Sequence, residues 1–207
     1  MKPARITNMT ASVNLNMIIN TDLLVSQGIC RHFNPGKFNK SFNGVIYKSV
    51  ATAQIYKNGK INIMGARTQD QAIQVYAELC RHLKIRPRRS LMFSNFCSTL
   101  DLGCQIPRDE LFSFLQKHPM TKSVLLEPEI FPPIKWESKL LPSTINIFRT
   151  GKINSTGNKS VEQAFASLIS TVKIIAEVSY IEQTEKVFVA FVSETFSDIH
   201  LPGNETN

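Results

Sequence analysis

The chain has 207 residues, 43% of them apolar, a formal net charge of +8 and a pI near 9.4. That length allows one large domain or two small ones with a sizeable core, and that charge favours a polyanionic partner, nucleic acid first and an acidic protein surface second. No run approaches the ~18 apolar residues of a membrane span, Met1–Arg5 lacks an apolar signal region, and Cys30, Cys80, Cys97 and Cys104 lack paired short spacing, so they read as reduced buried thiols of an intracellular protein rather than a zinc site or disulfide frame.

Residues 8–15 alternate, with Asn8, Thr10, Ser12 and Asn14 polar against Met9, Ala11, Val13 and Leu15, which predicts a strand with one buried face. Asn20 to His32 reads as a weak helix with Leu23, Leu24 and Ile29 inward and Gly28 a weak point. Phe33-Asn34-Pro35-Gly36 is turn chemistry. Three strands follow from Lys37 to Met64. The turn before the second falls at Asn43-Gly44 or at Lys48-Ser49, and the turn before the third at Asn58-Gly59. Thr68-Gln69-Asp70-Gln71 is a capping box. Its helix runs to about Leu83, with Ile73, Tyr76, Leu79, Cys80 and Leu83 on one stripe. Arg86-Pro87-Arg88-Arg89 stops it and forms a basic linker.

The plan then repeats. In residues 93–102, Asn95, Cys97, Thr99 and Asp101 alternate with Phe96, Ser98, Leu100 and Leu102. Pro107 suits the first turn of a helix reaching about Lys117. Glu127 to Pro133 reads as a proline-punctuated turn, and strands are expected near 134–140, 143–149 and 152–157. Ser160-Val161-Glu162-Gln163 is a second capping box, whose helix buries Phe165, Leu168, Ile169, Val172 and Ile175 and reaches about Val178. Within 179–207, Val187 to Val192 suits an extra strand or helix, and the tail beyond Leu201 reads as disordered.

The repetition is literal at Gly59-Lys60-Ile61-Asn62 and Gly151-Lys152-Ile153-Asn154. Gly59 to Gly151, Gly65 to Gly157 and Gln71 to Gln163 share one offset of 92. A long period present only twice predicts two halves of one pseudo-symmetric body rather than a solenoid. The expected fold class is α+β: one continuous antiparallel sheet with all helices on one face, because each strand has only one apolar side. The expected domains are 1–89, 90–180 and a C-terminal extension at 181–207.

The uncovered face then carries Asn8, Thr10, Ser12, Gln54, Tyr56, Asn62 and Met64 in the first half. In the second it carries Asn95, Cys97, Thr99, Asn146, Phe148, Asn154 and Thr156. Asn, Thr and Gln reach hydrogen-bond acceptors, which is what the minor groove offers at A·T pairs. Tyr56 and Phe148 answer each other at the same offset of 92. His32, His82, His118 and His200 have no paired carboxylate or cysteine at useful spacing, and no glycine loop suits a phosphate, so an enzyme, a metal or a cofactor is poorly supported.

These residues resemble the TATA-box-binding protein family. The resemblance covers roughly residues 6–180 and rests on the joint order of several motifs: Asn8-Met9 and Ser94-Asn95; Asn34-Pro35-Gly36-Lys37-Phe38; Glu127-Pro128-Glu129-Ile130-Phe131-Pro132; and the two Gly-Lys strands. It implies a curved saddle straddling DNA, with helices on the convex face and two pairs of aromatic wedges in the minor groove. The matching wedges are Phe38 with Tyr56 and Phe131 with Phe148, and Phe42 rivals Phe38. The pairs are 18 and 17 positions apart, so the first half carries one inserted residue. The tyrosine hydroxyl prefers water, which weakens that end as a wedge. Lys60, Lys152, Arg149, Lys37 and Arg86–Arg89 are candidate phosphate neutralisers.

The resemblance further implies a general transcription initiation factor in the nucleus, or in a viral or host transcription compartment if the source is viral. Double-stranded DNA, RNA polymerase machinery and transcription factor IIB or a relative are the expected partners, with transcription factor IIA a further one. Glu127 and Glu129 match the glutamates that meet transcription factor IIB. The departures are also specific. Where the family presents apolar Val and Leu, this chain has Thr10, Gln54, Asn62, Cys97, Asn146 and Asn154. Met64 replaces a threonine that Thr156 retains. An unsatisfied polar group in the groove costs on the order of 1–3 kcal/mol, so the chain reads as a divergent, TATA-binding-protein-like, protist or viral member. The alternative reading is an interaction platform without TATA-specific binding.

Overall fold

A computed structural model of the chain describes residues 2–32 and 44–178. Phe33–Gly36, Lys37, Phe38, Phe42, Asn43 and everything after 178 lie outside the described residues. In chain order the elements are β1 (Lys2–Asn14), α1 (Thr21–Ser26), β2 (Arg31–His32), β3 (Gly44–Lys48), β4 (Thr52–Tyr56), β5 (Lys60–Ala66), α2 (Gln69–His82), β6 (Met92–Asp101), α3 (Arg108–Lys117), β7 (Thr121–Glu127), β8 (Phe131–Ser138), β9 (Thr144–Ile147), β10 (Lys152–Asn158) and α4 (Val161–Val178). No helix among the described residues is long and apolar enough to cross a membrane. The chain divides into two compact units, Ile6–Phe96 and a second built from Cys97 onward together with the first five residues.

In the first unit the strands lie in the order β2-β3-β4-β5-β1, every neighbouring pair antiparallel. In the second the order is β7-β8-β9-β10-β6, the same arrangement with each strand replaced by its repeat. Two glycines carry the repeat into the backbone. Gly59 and Gly151 both sit at φ 87, a region open to glycine and costly for other residues. Each closes its turn by an N–H bond of 3.0 Å, to the carbonyl of Tyr56 and of Phe148 respectively. Each then accepts at 3.0 Å from the chain leaving the first strand of its unit, Leu15 N–H to Gly59 and Leu102 N–H to Gly151.

Strand alternation sets the cores. Ala53, Ile55, Ile61 and Ile63 are fully buried, and α2 turns Ala72, Val75, Tyr76, Leu79 and Cys80 inward in the same unit. The stripe expected for α2 is therefore displaced at one point. Ile73 is 50% exposed, while Ala72 and Val75 hold the centre of the ridge. The second core joins Ile134, Trp136, Ile145, Ile147 and Ile153 to Leu111 and Leu115 of α3 and Leu168, Val172 and Ile175 of α4. Trp136 buries its ring and donates its indole N–H to Thr121 Oγ1 at 3.0 Å, as a buried indole requires. Both capping boxes form: Gln71 N–H reaches Thr68 Oγ1 and Gln163 N–H reaches Ser160 Oγ, each at 3.2 Å.

Three expectations need correction. The helix expected over Asn20–His32 spans only Thr21–Ser26, capped by Asn20, whose Oδ1 accepts from Leu23 N–H. Gly28 (φ 71) ends it, with Gly28 N–H on Val25 O and Ile29 N–H on Leu24 O. Six residues bury a single leucine, so Leu24 is inward and Leu23 is 49% exposed. The segment Thr121–Glu127 is a strand that the expected elements omit, and β8 begins at Phe131, inside the expected turn. Pro132 and Pro133 are tolerated there because they start the strand, next to an irregularity in the β7–β8 ladder. Pro107 is the cap of α3 rather than part of its first turn. Of the two sites considered for the turn into β4, the Lys48-Ser49 one is used: Ser49 N–H bonds Ala51 O at 3.0 Å.

Candidate nucleic-acid interface

The alternation that fills each core leaves the intervening side chains on the other side of the strands. In the first unit Thr10, Ser12, Thr52, Gln54 and Asn62 are half-buried between buried neighbours, and Tyr56 and Met64 are half-buried beside one buried neighbour each. Register aligns them: Ser12 faces Asn62, Asn62 faces Gln54 and Gln54 faces Ile46. The next row runs Thr10, Met64, Thr52, Lys48. In the second unit the matching rows are Asn154, Asn146, Lys135, Leu125 and Thr156, Thr144, Glu137, Ser123. Each unit thus carries a row of side-chain amides across adjacent strands.

Hydrogen bonds decide what those amides offer. Thr99 Oγ1 lies 2.7 Å from Asn154 Oδ1 and 3.1 Å from the Ile153 carbonyl. A hydroxyl has one proton to share between the two acceptors. With its oxygen engaged, Asn154 presents its NH2 donors. Asn8 is held likewise, its Oδ1 accepting from Gly65 N–H at 2.6 Å. For Asn8 the amide orientation follows from the backbone N–H that faces it. Tyr56 donates weakly to Gln54 Oε1 at 3.4 Å. Asn95 is exposed and sits inside β6 at φ 52, a left-handed conformation that asparagine accepts more readily than most residues. Cys97 is half-buried. Thr99 is buried, so on the bare face it supports Asn154 rather than standing exposed.

Of the four expected wedges, Phe38 lies outside the described residues. Phe131 is 43% exposed at the start of β8. With Pro133, Leu125, Lys135, Thr144, Asn146 and Thr156 it lines a shallow depression on the amide-bearing side. Phe148 is half-buried just past β9, its N–H bonded to Lys152 O at 2.9 Å. Tyr56 is half-buried at the end of β4. Lys60 and Lys152 are exposed at the starts of β5 and β10. Arg149 is exposed and lines a depression with Asp109 and Glu110 in the first turn of α3. Glu127 and Glu129 are exposed around the β7–β8 turn, which Ile130 N–H closes on Glu127 O and where Ile130 itself is 81% exposed.

Sequence reasoning missed Lys135, Glu137 and Leu125, although their parity with Phe131 in strand alternation would have found the first two. Burial works to raise the Glu137 carboxyl, but Lys122, 3.4 Å away, with Ser123 and Thr144, outweighs it and holds the group below the usual carboxylate range. Glu137 is therefore an ion-paired anion beside Lys135, which leaves Lys135 as the exposed cation of the row.

Comparison with known proteins follows the same two halves. The family described as transcription factor TFIID, or TATA-binding protein, matches residues 3–85 and 91–178. A TATA-box-binding protein-like 1 of Entamoeba histolytica is 28% identical over 84% of this chain and 80% of its own length. TATA-box-binding protein 1 of Arabidopsis thaliana is 25% identical over 85% of this chain and 87% of its own. The solved structure of Methanococcus jannaschii TBP superimposes with a TM-score of 0.69 at 22% identity, covering 86% of this chain and all of that one, which shows the shared α+β fold.

Proposed function

The chain belongs to the TATA-binding protein family of transcription factors, and from that premise we propose that it binds promoter DNA in the minor groove, bends it and recruits a IIB-like factor and RNA polymerase in the nucleus. The carrying observation is the amide row of each unit, Asn62 with Gln54 and Asn154 with Asn146, in strand register at corresponding positions. The NH2 groups of these amides suit the N3 and O2 acceptors of A·T pairs. Phe131 and Phe148 wedge between base steps at one end, and Tyr56 with Phe38 do so at the other. Lys60, Lys152 and Arg149 neutralise phosphates. Glu127 and Glu129 present carboxylates to the IIB-like partner, and transcription factor IIA is a further candidate partner.

A second reading has its own support. Almost all of six positions that are apolar in the family are polar here, which favours an interaction platform that engages TATA weakly or not at all. A gel shift over random and A/T-rich duplexes at two salt concentrations separates the two. With three phosphate contacts the binding constant falls with a log–log slope of about −2.7, roughly 40-fold between 50 and 200 mM salt. Absence of binding at the lower salt sinks the DNA reading and leaves the platform. Selection from a random duplex pool then gives the preferred sequence.

A further inference from the structure

Beside the amide row of the second unit stands an anion. Along β8, Phe131, Lys135 and Glu137 share one strand parity, and Glu137 is aligned with Thr144 and, through it, with Thr156. In the first unit the matching row runs from Met64 through Thr52 to Lys48, and Thr52 and Met64 stand 92 positions before Thr144 and Thr156. The two units therefore place opposite charges at corresponding points of the repeat, exposed Lys48 in one and half-buried Glu137 in the other. The Glu137 side chain keeps 29% of its surface open. Lys122 Nζ lies 3.4 Å from Oε2, Thr144 Oγ1 donates to Oε1 at 3.4 Å, and the Ser123 hydroxyl is a third donor. These three hold the carboxylate as an anion and orient it, without filling its roughly four lone-pair sites.

Such a group has few uses on a face that meets a minor groove. Phosphates repel it, and the N3 and O2 atoms of A·T pairs are acceptors like itself. The donor that the minor groove offers is the exocyclic N2 amine of guanine. Resting on the DNA reading above, we propose that Glu137 is a specificity determinant, whose carboxylate accepts a hydrogen bond from the guanine N2 amine of a G·C pair met by the second unit. The preferred duplex is then A/T-rich with a G·C pair at one position. Lys48, at the corresponding point of the first unit, confers no such preference, because a cation has nothing to accept with.

The test scans an A/T-rich duplex one pair at a time, once with G·C and once with inosine·cytosine, which keeps the major-groove edge of G·C and lacks the N2 amine. Fluorescence titration of the full chain should find one position where G·C binds roughly tenfold tighter than inosine·cytosine, as a hydrogen bond to a charged acceptor allows. Glu137→Ala abolishes that preference and raises affinity for the all-A·T duplex, because an anion beside the phosphates is gone. Lys122→Ala keeps the preference, since the carboxylate remains. Lys48→Gln also keeps it, while weakening every duplex about equally and making the log–log salt slope shallower by about 1. If the duplexes bind but G·C is never tighter than inosine·cytosine, or if Glu137→Ala keeps the preference, the role of Glu137 is overturned and the DNA reading stands. Absence of binding to any duplex at low salt overturns both.

Discussion

Replacing Phe131 and Phe148 together by alanine separates wedging from mere contact. Phe131 is 43% exposed and Phe148 half-buried, so neither carries the full 3–5 kcal/mol of a core Phe→Ala change. Together they cost about 2–4 kcal/mol of stability. At roughly 2–4 °C per kcal/mol for a chain of this size the melting temperature falls by ~5–15 °C, and the variant stays folded at 20 °C. In the complex an aromatic ring stacked on a base contributes about 1–3 kcal/mol, so two rings cost ~2–6 kcal/mol, which is roughly 30-fold to 10⁴-fold in affinity. The bend disappears with them, because an unstacked step needs something in the gap. No charge is removed, so the salt slope stays where it was. Energy transfer between dyes on the ends of an A/T-rich duplex reads the bend, and titration at two salt concentrations reads the rest. A bound duplex bent as before refutes the reasoning, even if affinity has fallen, because the rings would then add contact area without opening the stack.

Three further outcomes are expected. Glu129→Arg weakens capture of a IIB-like factor in a pull-down, with duplex affinity unchanged or raised; untouched capture means the β7–β8 turn is not the docking point. Gly151→Ala forces a side chain onto φ 87 and drives its Cβ into the Cys104 carbonyl, costing on the order of 1–3 kcal/mol for the backbone strain alone, and Gly59→Ala does the same against the Met17 carbonyl. Chemical denaturation of the two variants should give similar losses, and a neutral result in either removes that turn from the repeat argument. Asn158→Ala leaves Ser155 Oγ and Ser167 Oγ without the amide they meet at 2.8 and 2.9 Å, and it lowers stability by about 1–3 kcal/mol, whereas stability equal to the parent shows the seam is dispensable.

What was legible followed from features that act locally. The glycines at a fixed offset fixed two turns, because φ 87 excludes most other residues. Thr68 with Gln71 and Ser160 with Gln163 fixed two helix starts, because a hydroxyl three residues before an amide N–H reaches it in only one way. Strand alternation separated Ile61 and Ile63 from Asn62 and Met64. The failures involve choices that neighbours make. In Thr121–Glu127 both Leu125 and Leu126 are apolar, and only pairing with β8 decides that Leu125 is the exposed one. Ile73 and Val75 are equally suitable for a helix ridge, and the ridge centre is set by where α2 meets β5. The polar seam of Ser143, Ser155, Asn158, Ser167 and Thr171 was invisible, because serine and threonine in a helix ordinarily face water. Here Ser167 meets both Ser143 Oγ at 2.8 Å and Asn158 Oδ1 at 2.9 Å.

The same polar substitutions that weaken the likeness to TATA binders also constrain how the face can work. A row of Val and Leu meets a groove by excluding water and needs only shape. A row of amides must be satisfied atom by atom, and each failure costs about 1–3 kcal/mol. The chain has already spent part of that freedom internally, since Thr99 engages the oxygen of Asn154 and Gly65 that of Asn8. At those two positions the NH2 donors remain, and donors discriminate. They accept the acceptor pattern of A·T pairs and meet a competing donor at the exocyclic amine of guanine. The rows also differ between units, continuing after Gln54 through Ile46 to Arg31 in the first and after Asn146 through Lys135 to Leu125 in the second. A pseudo-symmetric protein whose two halves make unequal contacts has a preferred direction on an asymmetric site. On the proposed DNA reading, polarity at Asn62, Gln54, Asn154 and Asn146 would narrow the DNA that the protein accepts, and charge at Lys60, Lys152 and Lys135 would restore affinity lost with the apolar face.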